Sequence, residues 1–222
     1  MEIRNKNGLT EKEFIASYDA SKFERPSVTV DILIFTFDKN RRLKILMVKR
    51  GDHPCLGQWA IPGGFVEMNE SLDEAAAREL KEETGVEGIV IEQLYTWGEV
   101  DRDPRTRIIT VSYLAMVDID RVQVQAGDDA DEARWFEVKC QVVDKSESGA
   151  EDSRVITRQY RLVLESQNIV ISSLITEIIE VINGVRVVKR EISDTDNLAF
   201  DHGKIILFAL EKAGFEPDLV SG

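Results

Sequence analysis

Apolar positions along the chain fall into runs of two periods. Residues 28–37 (VTVDILIFTF) and 43–50 (LKILMVKR) are β-branched and aromatic, and the polar turn Asp38-Lys39-Asn40 separates them, which predicts a β-hairpin. Further strands are predicted over 89–97, 108–117, 134–138, 157–165, 169–171 and 185–192, the last following the turn pair Asn183-Gly184. Helical signals alternate with these. Thr10 with Glu13 and Ser71 with Glu74 are capping boxes opening helices over 11–20 and 72–84, and Gly85 marks the second helix's end. Leu174, Ile175, Ile178, Ile179 and Ile182 recur at helical spacing, so 173–182 reads as a helix, and 203–213 as another. Residues 145–153 (KSESGAEDS) read as a polar, mobile connector. The sum is an α/β chain.

Composition narrows the partners. At 222 residues and 43% hydrophobic, the chain can build one good-sized core with an appended element. A net charge of −13 argues against a surface built for nucleic acid or anionic membrane. Cys55 and Cys140 are too few for a disulfide framework or a zinc site. The first residues (MEIRNKNGLTEKEF) lack the apolar core of a signal peptide, and charged residues interrupt the most apolar runs, so a cytoplasmic protein without a membrane span is expected.

The helix over 72–84 carries the candidate chemistry. Glu79, Glu82 and Glu83 stand at i, i+3 and i+4 and share one face, in the last turns where the helix dipole already presents negative charge. A divalent cation would reverse both penalties, and an all-oxygen ligand set suits Mg²⁺, or Mn²⁺, better than zinc. A solvated acidic face is the competing reading for such a triplet.

Around these acids, Gly64, Glu70, Arg78, Glu79, Leu80, Glu82, Glu83, Gly85 and Val86 fit the pattern G-x5-E-x7-R-E-U-x-E-E-x-G-U at every position, U being a bulky aliphatic. The stretch resembles the box of the Nudix hydrolases. That resemblance implies an α/β/α sandwich around a mixed sheet, with the box as a loop–helix–loop that binds metal and a nucleoside diphosphate derivative whose phosphoanhydride water cleaves. It makes Glu79, Glu82 and Glu83 metal ligands and catalytic groups, adds the Gly64 carbonyl as a further ligand, and leaves Arg78 and Glu70 structural. On this reading residues 1–25 are a helical lead-in, 26–138 the Nudix domain, 139–195 a small α/β insertion, and 196–222 the closing helix and tail.

Other residues extend the candidate site. Arg50 ends a strand near the box and can meet a phosphate or stay solvated. Trp59 can stack on a base or pack in the core. Arg102, Arg105 and Arg107 cluster around Pro104, and the order Asp-Arg-Asp-Pro-Arg before a strand resembles ADP-ribose pyrophosphatase-like members and the related nicotinamide-metabolism repressors, with Val100-Asp101 where Pro-Gly is common. Arg102 and Arg105 are assigned to substrate. Asp128, Asp129 and Glu132 can each supply a carboxylate from outside the helix, Asp129 being the one assigned to catalysis, whereas His202 reads better as capping or packing than as a substrate contact. The expected function is hydrolysis of ADP-ribose or a similar derivative, with a ligand-sensing regulator as the alternative. The insertion's apolar stripe must be covered by the core or a second subunit, and ADP-ribose-cleaving members are commonly dimers, so a homodimer is expected.

Overall fold

A computed structural model describes residues 2–85, 87–121, 130–150, 153–215 and 217–219. The hairpin forms as expected from β1 (Ser27–Phe37) and β2 (Leu43–Arg50), antiparallel with Phe35 opposite Ile45. Short strands β3 (Trp59–Ala60) and β4 (Gly63–Phe65) add to β2 and β1. Beyond them come β5 (Ile91–Trp97) and β6 (Ile108–Met116), and β6 pairs in parallel with β1. With β7 (Ala130–Ala150), β8 (Ser153–Ser166), β9 (Ile169–Ile182) and β10 (Val185–Asp196), the sheet runs in the order β10-β9-β8-β7-β2-β1-β6-β5. No helix among the described residues is long and apolar enough to cross a membrane.

Why β1 is apolar at nearly every position is now plain: both its faces are covered. Ile32 and Ile34 pack with Leu46, Val111 and Tyr113 against Ala75, Ala76 and Leu80 of helix α2 (Leu72–Thr84). Leu33 and Phe35 pack on the other side with Ile45 and Met47 against helix α3 (His202–Lys212). Helices on opposite faces of a mixed sheet make the α/β/α sandwich. Both expected capping boxes form, the first on helix α1 (Glu11–Ser17), and Gly85 closes α2 in the left-handed conformation at φ 69°.

Two expectations are corrected beyond residue 139. No helix forms over 173–182, which lies within β9, and the polar stretch 145–150 is paired along β8. Both faces of β9 carry aliphatic side chains, while its inward positions include Ser173 and Glu177, and that mixture hides the period of two. Backbone pairing on both sides of β9 overrides the local signal. The extra strands are part of the central core: Tyr160, Leu162, Leu164, Ile171 and Ile175 share one cluster with α3.

The sheet also curls. Its two ends, β5 and β10, line one cleft from opposite sides, with α3 between them. This explains why His202 through Leu207, nearly two turns of α3, are buried without a break.

Candidate active site

Gly64 is the point where the sheet meets the acidic helix. Its place on β4, opposite Val30 of β1, brings its Cα beside the Glu79 carboxylate. A side chain here is excluded: a Cβ on Gly64 would lie 2.8 Å from Glu79 Cδ and closer still to Oε1. Burial pushes the Glu79 carboxyl up, and the Arg78 guanidinium, donating to Oε1 at 2.7 Å, works against that. Arg78 is the internal cation of the box. The same Nη1 donates to Glu82 at 3.1 Å, while Nε and Nη2 grip Glu70 at 3.1 and 2.8 Å and Nη2 reaches the Phe65 carbonyl. The like-charge strain expected among the acids is thereby relieved between Glu79 and Glu82.

A chamber of about 220 Å³ borders β4, lined by Arg50, Gly64, Arg102, Arg105, Phe200 and His202 among others. Its charges balance, three arginines against Asp31, Asp52 and Asp103. Arg105 Nη2 donates to Asp103 at 2.9 Å and its guanidinium lies between the rings of Phe65 and Phe200, 5.5 and 5.9 Å from their centroids. Arg50 sits over Phe200 at 5.1 Å and donates to the Pro54 carbonyl. Phe200, held at φ 51°, is thus the shared platform for two arginines, and its single aromatic in a polar loop gave no sequence signal.

Arg102 is different. Its side chain is 5% exposed and donates twice to Asp201, at 2.7 and 3.2 Å, so its fork is already held by a carboxylate inside the protein. Arg107 holds the carbonyls of Gly98 and Glu99. Of the three clustered arginines, Arg105 alone is open to the chamber with a partly exposed head.

Trp59 is corrected from ligand stacking to core: it is 3% exposed and meets Phe136 edge-on at 4.7 Å, and no face is left for a base. His202 is buried at the start of α3, and its Nδ1 accepts from the Ile61 N–H at 2.9 Å. Burial lowers its pKa, with Asp31 opposing, which keeps that acceptor nitrogen unprotonated. Asp31 itself is pushed up by burial and accepts from Thr110 Oγ1 at 2.8 Å. Glu132 is ion-paired with Arg134. The side chain of Glu83, and Asp128 and Asp129 altogether, lie outside the described residues; among those described, no three acidic, histidine or cysteine side chains gather as a metal site requires.

Comparison with known proteins decides the family. The model of the NUDIX domain matches residues 26–160. The chain belongs to the Nudix family. It is 38% identical over 121 residues to the ADPR-responsive transcriptional repressor NtrR of Acinetobacter baylyi, covering 54% of this chain and 48% of the repressor. To the ADP-ribose pyrophosphatase of Methanocaldococcus jannaschii it is 39% identical over 130 residues, covering 57% of this chain and 73% of that one. The match thus spans about half the length of the repressor. Among solved structures, a MutT/nudix family protein from Enterococcus faecalis superposes with a TM-score of 0.66 at 31% identity, over 93% of this chain and 70% of its own. Coverage that high takes in most of the Nudix fold's extra strands here. The NUDIX domain of Shewanella oneidensis NrtR, solved with ADP ribose, aligns with a TM-score of 0.53 at 38% identity, over 58% of this chain and 84% of its own.

Proposed function

We propose that this Nudix protein is a divalent-metal-dependent pyrophosphohydrolase that cleaves the phosphoanhydride of a nucleoside diphosphate derivative, ADP-ribose being the leading candidate. The observation that carries the reading is the contact of Gly64 with the Glu79 carboxylate at the border of the arginine-lined chamber. The missing Cβ lets the Gly64 backbone come up against the Glu79 carboxylate, and an all-oxygen donor set of this kind suits a hard cation. Glu79, Glu82, Glu83 and the Gly64 carbonyl would hold it, as Mg²⁺ or Mn²⁺. Such an ion supplies charge neutralisation of the diphosphate and a more acidic water. The need for it follows from the chamber, which has no surplus positive charge to offer a diphosphate.

The chain's own groups do the rest. Arg105, on its aromatic platform, orients a phosphate or ribose, and Arg50 flanks it. Arg102 acts indirectly by fixing the loop to Asp201. Asp129 remains the proposed acceptor of the water proton. Water adds across the anhydride, so ADP-ribose would give AMP and ribose 5-phosphate. The assembly is proposed as a homodimer: α1 buries no side chain, and Ile3, Phe14, Ile15 and Phe23 leave apolar surface for a second copy.

Similarity to the repressor favours a second reading, a sensor that binds ADP-ribose without turnover. One experiment separates them. Incubating ADP-ribose, nucleotide sugars, dinucleoside polyphosphates and NADH with the protein and Mg²⁺ or Mn²⁺, with phosphatase-coupled phosphate release, should show turnover of a nucleoside diphosphate derivative. Tight ADP-ribose binding with no turnover of any compound would establish the sensor instead.

A further inference from the structure

The catalytic chamber is too small for its proposed substrate. Small-molecule sites generally need about 300 Å³ or more, and the chamber offers about 220 Å³. A diphosphate linked to two sugars and a base must therefore extend out of it. Arg102 and Phe200 stand in its wall and also in that of a second cavity, the cleft of about 810 Å³ between β5, β10 and α3. The two spaces adjoin.

The cleft has the chemistry of a neutral, aromatic guest. Its lining carries four basic and four acidic side chains, so it offers no net field to a further phosphate. One wall is aromatic. Tyr95 lies 4.9 Å from Trp97 and 5.2 Å from Phe208, the three rings tilted or edge-on to one another. Trp97 is buried and Phe208 is capped by Arg190 and Lys212, which leaves Tyr95, 51% exposed, as the ring with a free face. The opposite wall is rigid. Arg190 of β10 is ion-paired to Glu177, whose side chain is fully buried, and to Glu211 of α3, so the strand edge is fixed to the helix. Val188 and Ile192 add apolar surface beside it.

We propose that this cleft binds the nucleoside half of the substrate, with its base stacked on Tyr95 and β10 as the wall that selects it. The proposal rests on the pyrophosphohydrolase reading for its ligand class, but it assigns a site to β10, which lies beyond the residues that the NUDIX family model matches.

The test is equilibrium binding, independent of turnover. ADP-ribose and inorganic pyrophosphate, both titrated calorimetrically with Ca²⁺ as the hard divalent ion in place of Mg²⁺, are the two probes, against wild type, Tyr95→Ala, Tyr95→Phe and Val188→Trp. Loss of one base–aromatic stack weakens binding by about tenfold. Tyr95→Ala and Val188→Trp should each weaken ADP-ribose by about that factor while pyrophosphate is unchanged, and Tyr95→Phe should retain wild-type affinity. Unchanged ADP-ribose affinity in both variants, equal loss for the two probes, or no ADP-ribose binding by the wild type overturns the proposal. Hydrolysis is scored separately: a wild type that binds ADP-ribose in the cleft but never cleaves it fails the enzyme reading and leaves the cleft assignment standing.

Discussion

Adding one methyl group at Gly64 should disable the site while leaving the fold in place. In Gly64→Ala the new Cβ would lie 2.8 Å from Glu79 Cδ, whereas ordinary contact begins near 3.4 Å, so the carboxylate must retreat by about 0.6 Å and further at Oε1. It cannot retreat freely. Glu79 is nearly buried and its Oε1 is held by Arg78 at 2.7 Å, so the displacement either breaks that bond or tilts the last turns of α2. Overpacking of this size costs about 1–3 kcal/mol, which for a chain of this length lowers Tm by roughly 2–12 °C. Misplacing a reacting group by about 1 Å costs about a hundredfold in rate. We therefore expect kcat/KM against the best substrate to fall about a hundredfold at a temperature where circular dichroism shows the variant fully folded. Glu79→Gln, which removes the charge without the bulk, should match that loss. Full activity in folded Gly64→Ala, with Glu79→Gln inactive, would refute the argument that the close approach matters.

Other outcomes follow from the same geometry. Arg102→Ala takes the two-bond partner from nearly buried Asp201 and leaves it Lys204 at 3.5 Å, so it should cost about 1.5–3 kcal/mol in denaturant unfolding; Arg105→Ala leaves the nearly buried Asp103 without its guanidinium, should cost a similar amount of about 1–3 kcal/mol, and should raise KM more than it lowers kcat. Glu82→Gln loses only an exposed pair with Arg78, so stability should hold within about 0.5 kcal/mol while metal-dependent turnover drops by orders of magnitude; activity that survives EDTA would remove the metal from the scheme. Burial lowers the folded-state pKa of His202, so its contribution is complete above the unfolded value of about 6.5 and is lost as pH falls through that value toward the folded one; the wild type should lose stability between pH 7.5 and 5 more steeply than His202→Gln, by up to about 1.4 kcal/mol per pH unit. Replacing residues 141–195 by a Gly/Ser linker should abolish folding by far-UV circular dichroism, because five core side chains at about 1.5–3 kcal/mol each are lost from a total stability of about 5–15 kcal/mol.

The box helix was legible to the residue because its boundaries are local chemistry: Ser71 and Glu74 satisfy the first N–H groups and Gly85 takes the left-handed turn. The β1–β2 hairpin was legible for the same reason. What the sequence hid depends on partners far along the chain. β9 is a strand because β8 and β10 flank it, and Glu177 is tolerated on its inward face because Arg190 arrives from β10. In the site, the arginine cluster was visible as composition, but which arginine is free was not. Asp103 and Asp201 decide that, and Asp201 lies 99 residues from the arginine it holds. Trp59 left stacking and core both open, because an aromatic beside a strand has the same local pattern whether it faces ligand or core.

The curl of the sheet around α3 sets an order of assembly. During synthesis every strand through β10 emerges before α3 does, so the aliphatic inner faces of β2, β7, β8 and β9 must wait uncovered until residues 202–212 leave the ribosome. β1 cannot complete its parallel pairing with β6 until some 80 residues separate them, and such distant pairing is slow to form. Until α3 docks, Arg102 has no Asp201 and Phe200 holds no arginine, so the arginine-lined chamber does not exist in any nascent chain shorter than that helix. An incomplete chain therefore lacks the chamber and also exposes a long apolar sheet, a species for chaperones to hold.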